Sequence, residues 1–121
     1  MLSNDNFVTQ FNMSDGSCCS LVYSALGSGK MSKERMEAFF DGKSLVMDDY
    51  LSLSGYGLPS SFNATSKTQD KGHEDLLNKF FDAAAKSDCE SPIPFERIYW
   101  ATKMSLVVDK LARVGGGFET F

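Results

Sequence analysis

Phe7-Val8-Thr9-Gln10-Phe11-Asn12-Met13, then Ser14-Asp15-Gly16-Ser17, then Cys18-Cys19-Ser20-Leu21-Val22-Tyr23 is the stretch that decides the fold. Phe7, Thr9, Phe11 and Met13 alternate with Val8, Gln10 and Asn12, a strand-like period. Asp15-Gly16 is a hairpin turn signal. Beyond it Cys19, Leu21 and Tyr23 fall on one face of a second strand. Short turns of this kind join antiparallel neighbours.

Working outward, 26–32 is a glycine- and serine-rich loop. A third strand is expected from about Lys33 to Phe40, with Met36, Ala38 and Phe40 on one face and Phe39 on the other. Asp41-Gly42 repeats the turn signal, and Lys43 to Met47 continues as a strand. Asp48-Asp49 punctuates it, and Tyr50 to Leu53 extends it. The segment 55–66, rich in Gly, Ser and Asn, reads as a loop or a weak edge strand.

The second half is helical. His73, Leu76, Leu77, Phe80, Phe81 and Ala84 make one apolar stripe, with Asp70 as N-cap and Glu74 and Asp75 favoured by the helix dipole. Lys86 suits the C-terminal end. Pro92 and Pro94 break the chain. A second helix runs from Phe95 to about Val114, with Trp100, Met104, Val107, Val108 and Leu111 on one face, and Gly115-Gly116-Gly117 ends it. Strands followed by helices indicate an α+β fold: an open, mainly antiparallel sheet with two helices packed on one face. The other face, still carrying apolar side chains, then needs a partner.

The 121 residues suit a single domain, 1–121, and the 42% hydrophobic and 23% charged fractions are those of a globular chain. No apolar run reaches the ~18 residues of a membrane span, and Met1 to Phe7 has no signal-peptide pattern, so a soluble, cytoplasmic protein is expected. With a net charge of −4 and interspersed signs, no basic stripe marks a nucleic-acid surface. Cys18, Cys19 and Cys89 form neither a disulfide framework nor a zinc motif and read as small packing residues.

Chemistry is sparse. Gly115-Gly116-Gly117 follows a helix, so it is not a dinucleotide turn, and Gly27-Ser28-Gly29-Lys30 lacks P-loop spacing. No residue is assigned a catalytic, cofactor-binding or metal role. Weak substrate-binding candidates remain. Lys33 and Arg35 lie in the charged cluster with Glu34 and Glu37, Lys71 would bind an anion, and His73, the single histidine, would present an imidazole from the first helical turn. Each has a plainer reading: cross-strand ion pairs, a solvated lysine, a histidine opening an apolar stripe. Asp48 and Asp49, being adjacent, point apart and make a poor carboxylate pair.

Six strings occur in order: Asn6-Phe7-Val8, Ser14-Asp15-Gly16-Ser17, Lys33-Glu34-Arg35-Met36-Glu37 with Asp41-Gly42, Asp48-Asp49-Tyr50, Gln69-Asp70-Lys71-Gly72-His73-Glu74, and Ser91-Pro92-Ile93-Pro94-Phe95-Glu96. Together they resemble the C-terminal domain of the glucose–fructose oxidoreductase and inositol dehydrogenase family. The likeness is strongest to the branch in which this module can be fused behind an alcohol-dehydrogenase-like domain. The resemblance implies a parent enzyme with an upstream Rossmann domain holding NAD or NADP. It acts by hydride transfer on a sugar or cyclitol hydroxyl, while this domain lines the substrate pocket and builds homo-oligomers through its sheet face. The family's Glu-Lys-Pro lysine and its aspartate and histidine on the preceding helix have no counterpart here. The chain is therefore expected to be a fragment that binds no cofactor and is inactive alone. The alternative is a free-standing, non-enzymatic small-ligand-binding or dimerisation module.

Overall fold

The computed structural model describes residues 5–86 and 90–121. Cys89 and part of the break before Pro92 lie outside them. Six strands and two helices follow one another: β1 (Asn6–Asn12), β2 (Cys18–Ser24), β3 (Arg35–Phe40), β4 (Lys43–Asp48), β5 (Ser52–Tyr56), β6 (Ala64–Thr65), α1 (His73–Ala84) and α2 (Phe95–Arg113). The fold is α+β, and every strand pairing is antiparallel. The strands form two sheets, β1-β2 and β3-β4-β5-β6. Two compact units result, one holding the hairpin and α2, the other the four-stranded meander and α1.

In the first unit, β1 and β2 pair with Asn6 opposite Ser24 and Asn12 opposite Cys18. Alternation puts Phe7, Thr9, Phe11, Cys19, Leu21 and Tyr23 on one face. Phe7 and Tyr23 stack there, ring centroids 5.4 Å apart. Met13, expected in the strand, instead opens the turn, its N–H on the Ser17 carbonyl at 2.8 Å and its carbonyl accepting from Gly16 N–H at 3.0 Å. The Ser17 hydroxyl and backbone N–H both donate to Asp15 Oδ1. They hold that carboxyl below its ordinary pKa. The half-buried positions of α2 include Met104, Val107, Val108 and Leu111 of the expected stripe, whereas Trp100 is exposed. The helix stops in a Schellman motif: Gly115 N–H bonds Ala112 O and Gly116 N–H bonds Leu111 O at 2.8 Å. That motif needs a left-handed residue after the cap, and Gly115 supplies φ +88°. Lys103 Nζ sits 4.9 Å from the Trp100 ring and 4.6 Å from the Phe121 ring.

In the second unit the register assigns the faces. Met36, Ala38, Phe40, Leu45, Met47, Leu53 and Ala64 share one; Arg35, Glu37, Phe39, Ser44, Val46, Ser52, Ser54 and Tyr56 share the other. One face is thus apolar apart from Lys43, which lies opposite Phe40, while Phe39, 74% exposed, stands on the other among serines and an ion pair. β3 begins at Arg35 rather than Lys33. The Asp49 N–H still bonds the Glu34 carbonyl at 2.6 Å in the register that sets Arg35 opposite Asp48, but one residue earlier the Lys33 N–H turns to a side chain, Asp49 Oδ1 at 3.3 Å, and the ladder ends. The weak edge strand expected within 55–66 is β6, and Asn63 Oδ1 accepts the Gly55 N–H at 2.8 Å. α1 is capped by Gly72, not Asp70. Asp70 lies two residues too early, and its carboxylate accepts the Gly72 N–H at 2.9 Å instead of reaching the helix amides.

None of the described side chains is fully buried. The α1 stripe is open: Leu76, Leu77, Phe80 and Phe81 are 42–63% exposed. No helix among the described residues is long and apolar enough to cross a membrane.

Candidate functional site

Three of the six strings meet in the second unit. Lys71, from the segment before α1, reaches the Glu34 carboxylate ahead of β3, Nζ to Oε1 2.6 Å. Its ammonium also lies 5.3 Å from the centroid of Tyr50, in the β4–β5 turn. Asp49 beside it joins to Lys33 and Glu34 through the two backbone contacts given above. Asp49 and Tyr50 carry φ +51° and +56°, left-handed values that residues with a Cβ rarely adopt. The Leu51 N–H to Asp48 carbonyl bond of 2.9 Å closes that turn, and Tyr50 N–H points at Met47 Sδ at 3.2 Å.

The electrostatics follow from these contacts. The Glu34 hydrogen bond, followed by partial desolvation that opposes it, raises the Lys71 ammonium above its ordinary pKa. Desolvation pushes Asp49 up, but hydrogen bonds from the Lys33 backbone and Gln69 outweigh it and hold the carboxyl low. Glu34 Oε2 is out of contact with solvent and without a hydrogen-bond partner.

The four candidates therefore separate. Lys71 enters the cluster by its side chain and Lys33 by its backbone. Arg35 is spent on Glu37, with Nη2 at 2.7 Å and Nε at 3.1 Å from Oε1, and Glu37 raises its pKa. His73 is exposed as the first residue of α1. Lys71 and Lys33 thus share a neighbourhood, whereas Arg35 and His73 do not join them in one pocket. Glu34, Asp49 and Tyr50 were not singled out as site residues from sequence. Their signal was the clustering of charged and Asp-Asp strings, without the pairing that only the fold supplies.

A cavity of about 330 Å³ lies in the first unit, walled by residues 6–9 of β1, by Val108, Leu111 and Ala112 of α2, and by glycines 115–117. Nothing in that lining titrates, so it offers no general acid, base or nucleophile. No group of His, Cys, Asp or Glu among the described residues can hold a metal ion. Comparison with protein-family models, with curated proteins and with solved structures finds no match to this chain.

Proposed function

We propose that this chain is the C-terminal domain of an NAD(P)-dependent dehydrogenase resembling the glucose–fructose oxidoreductase and inositol dehydrogenase family. It shapes the pocket for a sugar or cyclitol hydroxyl and an oligomer contact on its exposed sheet surface, in a cytoplasmic enzyme. The observation that carries the reading is the apolar surface left open within one unit, the α1 stripe of Leu76, Leu77, Phe80 and Phe81 and, on the sheet, Met36, Phe39 and Phe40. A domain with those surfaces works covered, and an upstream Rossmann domain is the cover the resemblance implies. Convergence of the Lys33–Glu37, Asp48–Tyr50 and Gln69–Glu74 strings on one cluster adds support. The order of motifs then reflects a shared three-dimensional contact.

The dinucleotide itself does not fit the described residues. All strand pairings are antiparallel, so no βαβ crossover supplies a glycine turn at a helix start. The cofactor is accordingly assigned to the upstream domain, and no step of hydride transfer is routed through this chain. The untitratable cavity beside β1 favours the second reading, a binding module without catalysis. Two observations separate them. Calorimetric titration of the chain with NAD and NADP at millimolar concentration should give no saturable heat, and micromolar binding would overturn the assignment. A coding region upstream of Met1 with a Rossmann glycine turn and a Glu-Lys-Pro motif supports the dehydrogenase, whereas a native start at Met1 supports the module.

A further inference from the structure

We propose that Tyr99, Trp100 and Phe121 form an aromatic box for a quaternary ammonium ion, the trimethylammonium group of a choline-type compound, in which the Lys103 ammonium stands as an internal occupant. The box lies wholly within the first unit and does not depend on the dehydrogenase reading.

The helix sets two of the walls. Tyr99 and Trp100 are adjacent on α2, and Lys103 follows them at i+4 and i+3, so its side chain leads back to both rings. The two rings meet edge to face, their centroids 5.4 Å apart and their planes at 77°. The third wall comes from the tail. Past the Schellman motif, Gly117 passes so close to α2 that a Cβ there would meet Leu111 Cδ2 at 3.0 Å. Glu119 Oε2 then stands 3.6 Å from Lys110 Nζ, and Phe121 closes on Trp100, centroids 5.9 Å apart and planes at 78°. These three contacts, on Leu111, Lys110 and Trp100 in turn, carry the tail back along the helix. Lys103 Nζ lies 5.7 Å from the Tyr99 ring, 4.9 Å from Trp100 and 4.6 Å from Phe121. All three fall within the roughly 6 Å over which a ring face attracts a cation.

The class of ligand follows from what the box lacks. Among the described residues Lys103 has neither an ion-pair nor a hydrogen-bond partner. A primary ammonium is a compact, strongly hydrated charge with three donors, and three rings offer those donors no lone pair of oxygen or nitrogen. They stay with water. A trimethylammonium group carries the same charge, has no donor to satisfy, and lays its methyl groups against the rings; it is the cation that aromatic cages recognise. Lys103 stands on a flexible four-carbon stem and swings out to solvent to yield its place. Tyr99, Trp100 and Phe121 are 37–59% exposed, so the box is reachable from water.

Trp100 is the single tryptophan, so its fluorescence reports on the box directly. Choline chloride titrated into the chain at constant ionic strength should change that fluorescence saturably in the millimolar range. Ammonium chloride and the neutral tert-butyl isostere of choline should not. Lys103→Ala vacates the box and should tighten choline binding several-fold; Phe121→Ala removes a wall and should weaken it several-fold, both with unchanged circular dichroism. Phosphatidylcholine vesicles separate the two sources of the same group. Saturation by choline but not by vesicles assigns the box to a free compound, and saturation by vesicles as well assigns it to a lipid headgroup. An equal response to the isostere, no saturable response in Lys103→Ala, or binding to Phe121→Ala as tight as to the parent would overturn the proposal.

Discussion

Gly57→Ala and Gly42→Ala separate two costs that meet where the β3–β4 turn touches the end of β5. Both glycines are left-handed, φ +70° at Gly42 and +69° at Gly57. A Cβ in that conformation costs about 1–2 kcal/mol. At Gly42 an added Cβ meets nothing within 4 Å, so strain is the whole effect. At Gly57 it meets the Gly42 carbonyl oxygen at 3.2 Å and Lys43 Cγ at 3.5 Å. The oxygen is backbone, tied into a tight turn, and cannot swing aside as a side chain would. Relief by shifting that turn adds about 1 kcal/mol, the low end of overpacking costs. Gly57→Ala should therefore lose about 2–3 kcal/mol and Gly42→Ala about 1–2. Gly42→Asn, which tolerates the left-handed region, should stay within a few tenths of the parent. Urea unfolding reads the series, a loss of 2 kcal/mol lowering the midpoint by about 1 M for a slope near 2 kcal/mol per M. If Gly57→Ala is no more damaging than Gly42→Ala, the turn does not rest against the end of β5.

Asn63→Ala removes the acceptor of the Gly55 N–H and should cost about 1 kcal/mol, read in the same urea series. Asp49 has its pKa lowered, so its contribution is complete above the ordinary value of 3.8 and is lost as pH falls below it. Thermal midpoints measured across the acid range should accordingly fall less steeply in Asp49→Asn than in the parent. Lys71 has its pKa raised, so its contribution holds below 10.5 and disappears as pH rises further. Lys71→Met should flatten the alkaline limb and leave the acid limb in place.

What was legible in the sequence was local. Asp15-Gly16 and Asp41-Gly42 announced the turns because glycine adopts the required φ without strain, and Gly115 announced the end of α2 for the same reason. The β4–β5 turn was less clear, because Asp49 and Tyr50 take left-handed values without glycine or asparagine to signal them. Nor did any local pattern say that β2 and β3 would belong to different sheets; strand period reveals faces, not partners. The Glu34–Lys71 pair spans 37 residues, and each member by itself reads as solvated charge. Phe121 against Trp100 is equally non-local, the rings 5.9 Å apart. The candidate site was thus visible as strings, while its convergence required the fold.

Turnover decides the central claim. Purified 1–121 is assayed with a panel of sugars and cyclitols in the presence of NAD or NADP, following nicotinamide absorbance, beside the same chain expressed together with the coding region upstream of Met1. The chain alone should give the rate of a blank lacking protein, and the joined protein should oxidise at least one substrate. Activity from 1–121 alone, or none from the joined protein on any of them, would contradict the assignment.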